Sequence, residues 1–315
     1  MRSDTKWFKD SKWGVFIHFL AAPAGTGTTD KANVSVDKWN KRVDSFDTAG
    51  LANQLETVGA KYIFITLGQN TGYYCSPNET YDSIVGIKPS KCSKRDLIND
   101  LYSVLEPKGI RLLVYLPSGA PADDPVAVQK LEWEKNGGRL AEFQRNWESV
   151  IREWSLRWGR KVCGWWIDGC YHPDLMYDFP DEPNFQSFAA AMKAGNPDSI
   201  VAFAPGTSLT PAPMTEYDDY TAGEINVSFP VFAKRFSQLN RGVKSAQYHM
   251  LSFLGEDWGA GDPRFPNQFV SGYTKYINEK QGVISWDVPT SEDNGLIPEL
   301  FYKQLLSLKE GLSYE

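Results

Sequence analysis

Short apolar runs recur along the chain, and the stretches between them carry apolar positions at helical spacing. That alternation predicts successive parallel βα units. The runs are WGVFIHF (13–19), AKYIFITL (60–67), IRLLVYLP (110–117), VCGWWID (162–168), SIVAFAP (199–205), TAGEINVS (221–228), AQYHMLSFL (246–254) and GVISWDVP (282–289). They read as continuously apolar rather than strictly alternating, as strands covered on both faces do. Eight of them predict a closed (β/α)8, TIM-like barrel, with an open doubly wound sheet as the alternative.

The intervening segments carry helix punctuation. Residues 47–59 begin at Asp47 or Thr48 as cap and stop at Gly59, and residues 93–109 begin at Ser93, with Asp96 in the capping-box region, and stop at Gly109. A longer helical region, 126–158, is divided near Asn136-Gly137-Gly138. Within it Leu140, Phe143, Trp147, Val150, Ile151 and Trp154 repeat at helical spacing and form a packed face. No linker, repeat or low-complexity stretch interrupts the 315 residues, so the expectation is a single domain over 1–315.

Composition narrows the function. A formal charge of −6 with scattered Lys and Arg argues against a nucleic-acid partner. No run of about 18 apolar residues is present and the first residues lack a signal-like core, so neither a membrane partner nor export is expected and the cytoplasm is the simplest setting. The four cysteines form no CxxC pair and no zinc-like spacing with His, and no metal or organic cofactor is implied. Eleven Trp, 15 Tyr and 17 Phe exceed what a core of this size requires, which permits a carbohydrate site.

In a parallel barrel, residues at the strand C-termini converge on one face. Here they are His18, Gln69 and Asn70, Ser118, Asp168, Glu224, Glu256 and Asp257, and Asp287. Asp168 closes an apolar strand, where a carboxylate is costly to bury without a partner or a task; its bland reading is an Asp-Gly turn or helix cap. Two carboxylates around one sugar are the minimal equipment for glycoside hydrolysis, separated by about 5–5.5 Å for retention and about 6.5–9.5 Å for inversion.

Several segments resemble the catalytic domain of glycoside hydrolase family 29, the α-L-fucosidases: WFKDSKWGVFIHF (7–19), GAKYIFITLGQNTGYY (59–74), SKRDLINDLYSVLEPKGIRLLVYLPSG (93–119), GWWIDG (164–169) and WDVPTSEDNGLIPELFYKQLLSLKEGL (286–312). The resemblance implies a (β/α)8 barrel, a sugar-binding role for His18 and a nucleophilic role for Asp168. Two features depart from the family: Gly68, Gln69 and Asn70 stand where it carries Lys-His-His, and residues 1–315 are expected to hold the barrel without a counterpart of its C-terminal β-sandwich.

The reading is a retaining, exo-acting α-glycoside hydrolase for a small carbohydrate, with Asp168 as nucleophile and Glu224 as acid/base; Glu256, Glu216 and Asp257 compete for the second role. His18, Gln69, Asn70, Tyr73, Tyr74, Trp166, Glu256 and Trp258 are the candidate sugar-binding residues. Because Trp165 and Trp166 point to opposite sides of their strand, only one of them lines the interior. The alternatives are a non-catalytic carbohydrate-binding barrel, an inverting glycosidase using the same carboxylates, and a metal-dependent enzyme built on His18, Asp168 and His249. Asp287 reads as an orienting residue, and His172 and His249 carry no assignment.

Overall fold

A computed structural model describes residues 2–22, 34–133, 138–232 and 246–313. Seven of the eight apolar runs form strands: β1 (Trp13–Ile17), β2 (Tyr62–Thr66), β3 (Arg111–Pro117), β4 (Val162–Asp168), β5 (Ile200–Phe203), β6 (His249–Phe253) and β7 (Val283–Asp287). All neighbours pair in parallel, in the order β5-β4-β3-β2-β1-β7-β6.

The sheet is curled. Alternate residues from the centre and from both ends of that order, among them Phe16, Phe64, Tyr115, Trp166, Ala202 and Leu251, meet in one buried cluster. The opposite parity, including Val15, Ile65, Val114 and Trp165, packs outward on the helices. A flat sheet could not bring Ala202 of β5 and Leu251 of β6 into one cluster, because they lie at opposite edges.

The predicted strand at 221–228 is not a regular strand. Residues 220–225 touch the β6 flank through isolated parallel bridges, Tyr220 with Gln247 and Glu224 with Leu251. On the β5 flank, carboxylates take ladder positions that carbonyls would otherwise fill. Val201 N donates to Asp219 Oδ2 at 2.9 Å and Phe203 N donates to Asp218 Oδ1 at 2.8 Å. Side-chain acceptors satisfy those amides without a continuous ladder. Asp219 is compensated by Lys193 at 2.7 Å, whereas burial pushes the Asp218 carboxyl up to about 8.

One helix expectation needs correction, and a second, the division of the region 126–158, holds. The cap of the helix Leu97–Leu105 is Asp96, whose carboxylate accepts from Asn99 N, while Ser93 donates its hydroxyl to Arg95 O. The region 126–158 contains two helices, Pro125–Lys130 and Ala141–Trp158; Asn136 and Gly137 of the expected break lie outside the described residues. The second helix does bury Phe143, Trp147, Val150, Ile151 and Trp154. Its indoles also find acceptors: Trp147 donates to Pro117 O and Trp154 to Pro77 O, each at 3.0 Å. The helix Thr48–Val58 follows expectation, capped by Asp47 and closed by Gly59 at φ 82°.

Candidate active site

A cavity enclosing about 410 Å³ opens at the C-terminal end of the strands. Its floor is Phe16, Trp166 and Leu251, and its polar wall is His18, Gln69, Tyr115, Asp168 and Glu224, with Trp258 at the side. Four strands, the loops that follow β1, β2 and β6, and the 220–225 segment thus contribute to one pocket.

Asp168 is the last residue of β4, and Gly169, at φ 72°, turns the chain immediately after it. Tyr115 comes from the neighbouring strand, in register with Trp166, and their rings stack at 5.5 Å and 17°. The Tyr115 hydroxyl donates to Asp168 Oδ2 at 2.6 Å and accepts from Gln69 Nε2 at 2.7 Å. Burial pushes the Asp168 carboxyl above the usual carboxylate range, while the Tyr115 hydroxyl, the Gly169 amide and His18 favour its charged form.

Glu224 has no such support. Its Oε2 is buried without a hydrogen-bond partner, and burial, reinforced by the Asp168 charge, pushes its carboxyl up to about 7. The position of Glu224 depends on Gly223, at φ 66°, where a Cβ would lie 1.8 Å from His249 O. Only glycine permits the 220–225 backbone to approach β6 so closely.

His18 follows β1 and is held from behind. Its Nδ1 lies 2.8 Å from Asp287 Oδ1, and Asp287 Oδ2 accepts from Gly259 N at 2.6 Å. An Nδ1–H donated to Asp287 leaves Nε2 for the pocket side of the ring. Trp258 packs its ring against His18 at 5.7 Å and against Phe253 at 4.7 Å.

Six of the ten sequence-derived candidates meet in this way: His18, Gln69, Trp166, Asp168, Glu224 and Trp258 line the pocket together with Tyr115. Trp165 faces the helices, as strand alternation requires. Asn70 lies in an adjoining cavity. Tyr73 and Tyr74 are not in the pocket: Tyr73 donates to Val34 O at 2.8 Å, and Tyr74 is buried against Tyr81 and Trp154. The chain reverses at Gly72, φ 74°, and Tyr74 bridges back to Gly68, which carries both rings away from the mouth. Glu256, Glu216 and Asp257 are exposed and outside the pocket.

His249 is fully buried, with Nε2 2.8 Å from Ser285 Oγ and Nδ1 at 3.2 Å from two carbonyls, and burial pushes its imidazole down to about 3. It is therefore not available to a site shared with His18 and Asp168. Among the described residues no group of three or more His, Cys, Asp or Glu is placed to hold a metal ion. No described helix is long and apolar enough to cross a membrane.

Sequence reasoning missed Tyr115, Phe16 and Leu251. The available signal was parity: Tyr115 stands two residues before the end of its strand, on the same interior face as Leu113.

No protein-family profile matches the chain, and no curated protein sequence matches it. Solved structures do resemble it in fold. An endo-fucoidan hydrolase of glycoside hydrolase family 107, MfFcnA9, has a TM-score of 0.72 at 15% identity, over 98% of this chain and 63% of that one. A second, P5AFcnA, has a TM-score of 0.70 at 14% identity, over 95% and 90%. Alpha-L-fucosidase isoenzyme 1 from Paenibacillus thiaminolyticus has a TM-score of 0.65 at 16% identity, over 97% and 74%. The chain thus spans under two thirds of the first of these structures and shares with all three the fold of fucosidase-type glycoside hydrolases.

Proposed function

We propose that this protein is a retaining α-glycoside hydrolase of fucosidase type, with Asp168 as nucleophile and Glu224 as acid/base. The observation that carries the reading is the inequality of two carboxylates around one pocket. Asp168 receives the Tyr115 hydroxyl at 2.6 Å, whereas Glu224 has an unpartnered buried oxygen and a carboxyl pushed up to about 7. Environments that separate two carboxyl groups in this way assign the proton to one and the charge to the other. The fold shared with fucosidases and endo-fucoidan hydrolases supports a sugar substrate. The apolar floor of Phe16, Trp166 and Leu251 suits a deoxyhexose, whose methyl group asks for no hydrogen bond. In this reading residues 220–225 take the eighth position of a (β/α)8 barrel.

In the first step Asp168 attacks the anomeric carbon as the glycosidic bond breaks, and the departing oxygen takes the Glu224 proton. In the second, Glu224 removes a proton from water, the water oxygen attacks the same carbon, and the bond to Asp168 breaks. His18, fixed by Asp287, contributes a hydrogen bond to a ring hydroxyl.

The test is hydrolysis of a panel of aryl α-glycosides, α-L-fucoside included, by the wild type and by Asp168→Asn with added azide. The expected result is turnover by the wild type, a loss of at least about a thousandfold in the variant, and azide-dependent release of the aryl group with a β-glycosyl azide as product. Undiminished turnover by Asp168→Asn would falsify the assignment. Sugar binding by both proteins without turnover by either would establish a binding barrel instead.

A further inference from the structure

A second cavity adjoins the pocket and is larger, about 790 Å³ against about 410 Å³. The two share three residues, Gln69, Tyr115 and Asp168. Beyond that shared wall the second cavity runs over the loops that follow β2, β3 and β4. Its surface combines the rings of Trp133 and Tyr171 with the polar groups of Asn70, Ser118 and His172. Flat rings beside amide, hydroxyl and imidazole groups are the surface that recognises a pyranose, apolar on its faces and polar at its rim.

Both rings are presented by glycines. Tyr171 is 59% exposed, and its ring edge lies over Gly206 and Gly169, where added Cβ atoms would come within 3.0 Å and 3.5 Å of it. A Cβ at Gly119 would lie 2.9 Å from the Trp133 ring, which also packs edge-on against Phe143 at 4.4 Å. A side chain at Gly119 or Gly206 would press against the Trp133 or Tyr171 ring, whereas one at Gly169 would make only ordinary contact.

The position of this cavity relative to the two carboxylates determines what it can hold. Asp168 borders it and Glu224 does not. A leaving group must sit within reach of the proton donor, so the departing part of a substrate lies toward Glu224. A unit in the second cavity is therefore attached to the cleaved sugar from the other side, through one of its ring hydroxyls.

We propose that this cavity is a second saccharide subsite, so that the protein acts on a sugar that already carries a further sugar unit. The inference rests on the glycosidase reading above and departs from the sequence-based expectation of an enzyme that removes a bare terminal sugar. Cleavage within an α-linked chain becomes the natural activity.

Two probes with the same leaving group test it: 4-nitrophenyl α-L-fucoside, and the 4-nitrophenyl glycosides of α-1,3- and α-1,4-linked fucobiose, scored by nitrophenol release with the intact disaccharide as co-product. The expected result is a kcat/KM at least tenfold higher for one of the disaccharides. Tyr171→Ala and Trp133→Ala should each bring that ratio toward one; the exposed Tyr171 keeps the test valid should the Trp133 variant fail to fold. A wild-type ratio of one or less, or a ratio that neither variant changes, overturns the subsite. Should no probe be cleaved, the catalytic reading fails by itself, and calorimetry with fucose and the two fucobioses decides the subsite. Tighter binding of a disaccharide supports it, and equal or absent binding of all three overturns it.

Discussion

Replacing Tyr115 by Phe removes one hydroxyl and leaves the ring that stacks on Trp166. That hydroxyl is the middle of a relay from Gln69 Nε2 through Tyr115 to Asp168 Oδ2, with donor–acceptor distances of 2.7 Å and 2.6 Å. A hydrogen bond to a charged group contributes about 1.5–3 kcal/mol net. Its loss falls on the ionised form of Asp168, so the ionised fraction on the acid side drops by about tenfold to a hundredfold, at about 1.4 kcal/mol per factor of ten. The sign follows from the chemistry: burial already raises the Asp168 carboxyl, and the Tyr115 bond is the largest effect opposing it. Tyr115→Phe therefore moves the acid limb of kcat/KM to higher pH, with a loss of activity that is greatest at low pH and shrinks toward neutrality. The assay is a kcat/KM pH profile on an aryl α-L-fucoside, with circular dichroism to verify folding. Gln69→Leu, which leaves the Tyr115 donation in place, should shift the limb less. A loss of equal size at every pH would refute the reasoning, because it would place the hydroxyl on the sugar or the fold rather than on the charge of Asp168.

Glu224→Gln should abolish the alkaline limb that the wild type shows as pH rises through about 7, because the group pushed up to that value is then gone; the loss should be about 10²- to 10⁴-fold for poor leaving groups and smaller for activated aryl ones. Gly223→Ala should destabilise the protein by at least about 1–2 kcal/mol, the cost of a left-handed backbone for an L-residue, with the 1.8 Å approach to His249 O adding to it. Urea unfolding measures this, with Gly272→Ala as the control, since a Cβ there meets nothing within 4 Å.

Much of the scaffold was legible in the chain because strand burial on both faces leaves a direct one-dimensional trace. Seven apolar runs became β1 to β7, and Asp168 stood at the end of its strand as the sequence placed it. The run at 221–228 did not become a regular strand, for a reason that no periodicity shows: Asp218 and Asp219, just before it, turn their carboxylates onto the amides of β5. The cap at Asp96 rather than Ser93 was a choice between two competent residues three apart, decided by where the helix docks. Trp158 donates its indole N–H to the same Asp96 carboxylate.

The site divides in the same way. Strand-end position brought His18, Asp168 and Glu224 together on paper, since parallel strands share one C-terminal face. Proximity in sequence misled at Tyr73 and Tyr74, where a reversal at Gly72 carries the rings into the core. The chain alone thus determined which carboxylates were available and at which end of the sheet they emerge. Only the tertiary structure decided which one has a hydroxyl donated to it and which is left buried without a partner, because hydrogen bonds and desolvation depend on neighbours 53 and more residues away, as Tyr115 is from Asp168.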